Sequence, residues 1–136
     1  MKFPLRVVSV ERSLFEGEVE FIIVNGAEGE LGVLARHAPL MTILKPGSLR
    51  IQETYGGEEQ QLFVGGGFLE VLPDRVTVLA DVAEHADEIS IEQAEQARRR
   101  AQEKLAGTLT TAEETEFQNA LAMAEARLRL ARARRG

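Results

Sequence analysis

Residue patterns that carry catalysis or bind metals are sparse in this chain of 136 residues. It contains no cysteine and only two histidines, His37 and His85, which lie far apart in the sequence. This composition excludes disulfides, a thiolate nucleophile and cysteine-ligated zinc, and it provides no histidine pair at metal-ligand spacing. The glycine run 65–67 could suggest a phosphate-binding loop, but no Lys-Ser or Lys-Thr follows it. We therefore expect no catalytic residues, metal or cofactor, and we interpret the glycine run as a bulge or a close backbone approach.

Arginine is distributed very unevenly along the chain. The last ten residues carry five arginines and no acid, whereas the whole chain has a net charge of −6. Such a run is either a solvated helix end, where cations complement the helix dipole, or a surface that binds an acidic partner. Nucleic acid is the default polyanion, so a small adaptor or nucleic-acid-binding protein is an alternative. The acidic remainder of the chain and the 5% aromatic content of the whole sequence count against nucleic acid.

Composition divides the chain into two parts. All four prolines and ten of the twelve glycines precede residue 74, whereas 11 of the 50 residues from Asp87 onward are alanine. Glycine and proline punctuate strands, and alanine favours helix. We therefore expect a β domain over 1–86 and a helical hairpin over 87–136. No apolar run reaches the length of a membrane span, and the first residues lack the apolar core of a secretion signal, so we expect a cytoplasmic protein.

The first part has short alternating apolar runs separated by turn signals, as all-β domains do. Asn25-Gly26 and the run 55–58 are typical hairpin turns. Roughly eight to ten short strands are too many for one open sheet with a dry face. A two-layer sandwich or a flattened barrel would bury both apolar faces, and we predict a two-layer antiparallel β-sandwich of about ten strands.

The second part has helical periodicity. One apolar stripe runs from Ile91 through Ala97 to Leu105, and a second runs from Phe117 to Ala131. Ser and Thr followed three residues later by Gln or Glu predict capping boxes at both helix starts, and Gly107 is a predicted stop for the first helix. The short link predicts an antiparallel hairpin. Because its stripes are mostly alanine, we expect this hairpin to be only marginally stable alone.

Several motifs give the chain a family resemblance. Glu28-Gly29-Glu30-Leu31-Gly32-Val33 is followed by His37-Ala38-Pro39-Leu40-Met41-Thr42, and Lys45-Pro46-Gly47, the run 65–71 and the run 76–81 come after them in order. In type, order and spacing these motifs closely resemble the ε subunits of bacterial F-type ATP synthases. The resemblance covers nearly all of residues 1–86, and the helical part matches by architecture more than by motif.

The resemblance implies a non-catalytic rotor subunit of the proton-translocating enzyme, at the cytoplasmic face of the cell membrane or of a thylakoid membrane. Its partners would be the γ subunit, the c-ring and the α and β subunits, with no nucleic acid and with membrane contact only through the complex. The residues implied for contact with the c-ring and γ are Glu28, Glu30, Leu31, His37, Ala38, Pro39, Leu40 and Met41. From the residues alone, Glu30 could equally be a solvated turn residue, and His37 a surface histidine with a local hydrogen bond.

The resemblance also implies that the helical hairpin regulates. Folded down, it permits rotation; extended along γ, it reaches α and β and blocks ATP hydrolysis. Arginines suit contact with an acidic loop of β because they pair with carboxylates in a bidentate way. The arginines that fit this role are Arg98, Arg99, Arg100, Arg127, Arg129, Arg132, Arg134 and Arg135. Some family members bind ATP through Ile-Asp-x-x-Arg-Ala, and the corresponding positions here are Ile89, Ser90, Gln93 and Ala94. Because the charged Asp and Arg are replaced, we expect no tight ATP site.

Overall fold

The computed structural model describes the backbone of residues 1–135 and the side chains of residues 1–134. The chain divides into two compact units, Met1–His85 and Ala86–Gly136. The first unit contains ten strands, and the second contains a short 3₁₀ helix and two α-helices. Neither α-helix is long and apolar enough to cross a membrane.

The strands are short and follow one another closely. Their bounds are β1 (Phe3–Ser9), β2 (Ser13–Val19), β3 (Phe21–Gly26), β4 (Gly29–Leu34), β5 (Leu40–Leu44), β6 (Gly47–Gln52), β7 (Glu59–Val64), β8 (Gly67–Leu72), β9 (Arg75–Ala80) and β10 (Ala83–His85). The 3₁₀ helix spans Ala86–Glu88, and the α-helices are α1 (Ile91–Leu105) and α2 (Thr111–Arg135).

Hydrogen bonding orders the strands β10-β7-β6-β3-β5-β8-β9-β1-β2, with β4 on the other edge of β3. One layer is β10-β7-β6-β3-β4 and the other is β5-β8-β9-β1-β2. The layers are joined where β3 pairs with β5 through Gly26 and Leu44. The predicted sandwich is confirmed. One detail differs from the antiparallel prediction, because β1 and β9 run parallel.

The interior of the sandwich is apolar. Alternate residues of every layer point inward, and Val7, Ile22, Leu62, Leu69 and Val78 are all inaccessible to solvent. No polar or charged residue is buried among those described. Burial of such large aliphatic side chains is the main source of stability, since each contributes roughly 1.5–3 kcal/mol.

The glycine run between β7 and β8 marks a close backbone approach, as predicted. Gly66 and Gly67 have φ angles of +103° and +125°, which favour glycine. A Cβ atom on Gly67 would lie 2.0 Å from the carbonyl oxygen of Leu79 on β9. Only a residue without a side chain fits here.

Both α-helices of the second unit begin with the predicted capping residues. The hydroxyl of Ser90 accepts a hydrogen bond from the Gln93 backbone N–H at 3.2 Å. Thr110 and Glu113 form a complete capping box. The Glu113 N–H donates to the Thr110 hydroxyl at 3.1 Å, and the Thr110 N–H donates to the Glu113 carboxylate at 3.0 Å. These bonds satisfy backbone donors that a helix start leaves free.

The helix seam differs from the prediction in three details. Ala97, expected on the buried stripe, is exposed, whereas Ala126 and Leu130 are buried outside the predicted stripe. The first helix is capped by Ala106 in a right-handed conformation, so Gly107 is not used for a left-handed stop. The seam is otherwise made mainly of alanine.

Candidate functional site

The tip of the β3–β4 hairpin projects an acidic turn into solvent. Residues 27–30 are all exposed, and Ala27 and Glu28 form the turn itself. The sequence placed this turn at Asn25-Gly26, which is wrong because both residues belong to β3. The residue with positive φ is instead Gly29, at +121°, and nothing lies within 4 Å of where its Cβ would be. The tip is therefore exposed, with open space at the Gly29 Cβ position.

A groove of about 490 Å³ lies between this tip and the start of β5. It brings together five of the eight residues implied for ring and γ contact: Glu28, Glu30, Leu31, Leu40 and Met41. Its walls combine two carboxylates with aliphatic side chains. Such a surface suits a partner loop that presents basic or amide groups beside apolar ones.

The other three implied contact residues lie in the loop between β4 and β5 and do not line this groove. The Nδ1 of His37 donates a hydrogen bond of 2.7 Å to the carbonyl oxygen of Ala38, and the His37 N–H bonds to Leu34 at 3.2 Å. His37 therefore makes a local hydrogen bond, which was the alternative to a contact role in the sequence analysis. Ala38 and Pro39 are exposed.

A charged network lies on the outer face of β6 and β7. Arg50 donates to both carboxylate oxygens of Glu59, with distances of 2.8–3.1 Å, and Gln52 adds a bond of 2.8 Å. These donors, Arg50 above all, lower the pKa of Glu59 to about 2. Glu59 in turn is the main cause that raises the pKa of Arg50, and the charge of Glu30 adds to it. Glu30 therefore lies on the same outer face as Arg50, whose side chain is held by Glu59.

An apolar strip on the other layer was missed by the sequence analysis. It consists of Met41 and Ile43 on β5, Phe68 on β8 and Leu79 on β9, which are between 46% and 64% exposed. Phe68 lies directly opposite both Ile43 and Leu79 in the strand pairing. Cross-strand neighbours are in contact, so these side chains form a continuous patch. The signal for it was present, because β5 and β8 are apolar at consecutive positions and not only at alternate ones.

The second unit gathers part of the arginine set. A groove of about 550 Å³ is lined by Arg98 of α1 and by Arg129 and Arg132 of α2, together with Glu125, Leu128 and Ala133. Arg132 also donates a hydrogen bond to the carboxylate of Glu95 on α1. Carboxylates therefore lie among the arginines, and the groove is not uniformly cationic.

The remaining predicted arginines whose side chains are described do not line the groove. Arg99, Arg100 and Arg134 are exposed, and Arg127 is half-buried. The side chain of Arg135 lies outside the described part of the structure.

The positions that correspond to the ATP motif serve the start of α1. Ile89 and Ala94 are buried, and Ser90 and Gln93 make the helix cap described above. None of these four lines the arginine groove.

Comparison with known proteins agrees with the resemblance. The family described as "ATP synthase, Delta/Epsilon chain, beta-sandwich domain" matches residues 2–86. An ATP synthase epsilon chain from Dehalococcoides mccartyi is 47% identical over 137 residues, which cover 98% of this chain and 95% of that relative. One from Pelotomaculum thermopropionicum is 50% identical over 102 residues, or 75% of each chain.

Two solved structures share the fold. A chain of the Euglena gracilis mitochondrial ATP synthase, solved as OSCP/F1/c-ring, has a TM-score of 0.79 and 28% identity, covering 91% of this chain and 78% of that one. A chain of the Tetrahymena thermophila mitochondrial ATP synthase central stalk and c-ring has a TM-score of 0.72 and covers 96% and 97%. At 14% identity, this second likeness concerns the fold alone.

The chain thus combines a β-sandwich, which bears an acidic tip and an apolar strip, with a helical hairpin that carries arginines. The chain belongs to the ATP synthase delta/epsilon chain family, since the family match covers more than half of it and relatives match nearly all of it. The predicted family is confirmed.

Proposed function

We propose that this chain is the ε-type rotor subunit in the central stalk of a proton-translocating F-type ATP synthase. It carries no catalytic group of its own, couples the γ subunit to the c-ring, and restrains ATP hydrolysis through its helical hairpin. The observation that carries this proposal is 47% identity to an ATP synthase epsilon chain over almost the whole length of both chains. The protein would lie at the cytoplasmic face of the coupling membrane and touch the membrane only through the complex.

The acidic tip is the proposed contact with the c-ring. Glu28 and Glu30 lie in an exposed turn, and Leu31 and Leu40 supply apolar contact in the adjoining groove. Carboxylates on a rigid hairpin can accept hydrogen bonds from polar ring loops without ordering a flexible segment. Cross-linking from a cysteine placed at Glu28 should reach the ring in the assembled enzyme. A cysteine placed at Glu53, in the exposed turn between β6 and β7, is the control and should not.

The apolar strip is the proposed contact with γ. Four large apolar side chains exposed side by side are costly in water and are stabilised when a partner covers them. Ile43→Asp would place a charge in the centre of the strip, so we expect γ binding to weaken at least tenfold, on the order of 1.4 kcal/mol. Thr77→Asp places the same charge outside the strip, at a half-buried position of β9, and is the control. Equal γ affinity of both variants in a titration would contradict this assignment.

The hairpin is the proposed inhibitory element. Its exposed arginines, Arg129 and Arg134 among them, would pair with an acidic loop of β when the hairpin is extended. The isolated chain should bind ATP poorly, because the phosphate-binding arginine of the family motif is Gln93 here and Ser90 replaces the acid. Isothermal titration with micromolar affinity would overturn that expectation.

The regulatory role is tested in the reconstituted enzyme. Replacing both Arg129 and Arg134 with alanine should raise ATP hydrolysis while the subunit still assembles, and deletion of residues 87–136 should raise it further. Arg75→Ala removes another exposed arginine, at the start of β9, and serves as the control. Hydrolysis that is unchanged in both the double variant and the deletion would remove the inhibitory role and leave only the coupling role.

A further inference from the structure

An ion pair joins the two helices of the hairpin across the seam. Arg132 near the end of α2 donates to the carboxylate of Glu95 in the second turn of α1. The side chains are about half and one third exposed, at 49% and 34%. The residues are 37 positions apart in sequence, so the pair forms only when the helices lie side by side.

The apolar seam around this pair is thin. The buried residues of the two helices are Ala94 and Ala101 on α1 and Ala124, Ala126, Leu128, Leu130 and Ala131 on α2, so five of the seven are alanine. Alanine buries little apolar surface, so each such contact stabilises the closed hairpin less than a leucine would. An ion pair therefore contributes a larger share of the stability of this hairpin than it would beside a core of large side chains.

The surroundings of the pair are rich in arginine. Arg98 lies three residues after Glu95 on the same helix face, and Arg129 lies three residues before Arg132. The Nε of Arg98 is buried without a hydrogen-bond partner among the described residues. Glu95 therefore places a carboxylate of the chain itself among the arginines that are proposed to bind the acidic loop of β.

We propose that Glu95 occupies, in the closed hairpin, the place that a carboxylate of the partner takes when the partner binds Arg132. The Glu95–Arg132 ion pair, which we call the latch, then holds the two helices together. In the closed hairpin, Glu95 holds Arg132 and withholds it from the acidic loop. When the loop binds Arg132, the latch is released and the helices separate. The strength of the latch sets how readily the subunit inhibits, and this inference rests on the inhibitory function proposed above.

Hairpin opening is measured first on the isolated full-length chain. Because the chain has no cysteine, a single pair of spin labels can be attached at exposed positions Gln96 and Ala133, and their distance distribution recorded. Glu95→Gln should increase the ratio of open to closed hairpin about two- to fivefold, the range expected for a largely exposed ion pair. Glu103→Gln removes another exposed carboxylate of α1 and should change nothing. Equal distance distributions for Glu95→Gln and Glu103→Gln would overturn the latch.

A charge exchange separates the latch from a general loss of helix stability. The double variant Glu95→Arg with Arg132→Glu keeps both charges across the seam and should restore the closed distribution, whereas each single reversal should open the hairpin. Failure of the exchange to close the hairpin, with helix content unchanged by circular dichroism, would also overturn the proposal.

The assembled enzyme distinguishes the latch from the function on which it rests. Glu95→Gln should strengthen inhibition of ATP hydrolysis by about the same two- to fivefold factor, because Arg132 is free for the partner. Arg132→Gln should open the hairpin equally without strengthening inhibition, because it removes the group that the partner binds. If the labels report opening but hydrolysis responds to neither variant, the inhibitory function fails while the latch stands.

Discussion

The junction between β7 and β8 gives a quantitative prediction for the sandwich. Gly67→Ala adds one methyl group at a backbone position with φ of +125°, where its Cβ would lie 2.0 Å from the Leu79 carbonyl oxygen and 2.9 Å from the Ala80 Cα. Both neighbours are backbone atoms of β9, the strand with which β8 pairs at Gly67 and Ala80. A side-chain rotation therefore cannot relieve the contact, and strand β9 has to move.

Two costs add in this variant. Holding alanine at that φ costs roughly 1–3 kcal/mol. Moving β9 by more than an ångström breaks the adjacent ladder hydrogen bonds, at about 0.5–1.5 kcal/mol each, and disturbs the packing beneath them. We therefore expect Gly67→Ala to lower the free energy of unfolding by about 3–6 kcal/mol, which is at the large end for a point substitution.

Gly29→Ala is the matched control. Gly29 has nearly the same φ, +121°, but nothing lies within 4 Å of the added Cβ, so only the conformational cost of about 1–3 kcal/mol applies. Urea unfolding of the full chain, followed through the fluorescence of Tyr55, the only tyrosine in a chain without tryptophan, reports on the first unit. If the two variants lose the same stability within about 1 kcal/mol, the steric reasoning is refuted.

Two further predictions concern the charged network and the helix cap. Glu59→Gln should lower the free energy of unfolding by about 1–2 kcal/mol at neutral pH. This is less than the pKa shift alone would correspond to, because Arg50 is partly exposed. Since the folded pKa of about 2 lies below the ordinary value of 4.5, this stabilisation is present above pH 4.5 and is lost as the pH falls towards 2; acid-unfolding curves of variant and wild type should converge there, and parallel curves would contradict it. Thr110→Ala removes one half of the capping box with Glu113 and should destabilise the hairpin by about 1 kcal/mol in thermal melts of its helical signal, whereas Thr108→Ala should be neutral.

Much of the sandwich could be predicted from the sequence because its signals are local. Alternating apolar residues gave the strands, and the run 55–58 gave a turn. The hairpin tip was misplaced because Asn25-Gly26 is a strong turn signal by itself. In the folded chain, Asn25 is instead held in β3 by a hydrogen bond from its side chain to Pro46 and one from the Lys45 N–H to its carbonyl. Those partners come from another part of the chain, which no local pattern reports.

The candidate surfaces were predicted unevenly for the same reason. The acidic tip is one continuous motif, so its residues could be named from the sequence. The apolar strip consists of side chains from three strands that become neighbours only through pairing of β5, β8 and β9. Likewise, the arginines are visible in the sequence, but their partners are not. The contact between Arg132 and Glu95 depends on the register of the two helices, which no local pattern gives.

The two units differ in the side chains that they bury, and this difference favours a switch in one unit and not in the other. The sandwich core is built from leucine, isoleucine, valine and phenylalanine, so opening it would expose many large side chains at about 0.8 kcal/mol per buried CH₂. The hairpin seam is mostly alanine, and the energy that holds its helices together is correspondingly small. A partner that gains about 1 kcal/mol from each of three or four arginine pairs could then open the hairpin, but it could not open the sandwich. The proposed regulation by small differences in binding energy therefore fits the helices, and the fixed geometry that the proposed coupling contacts need fits the strands.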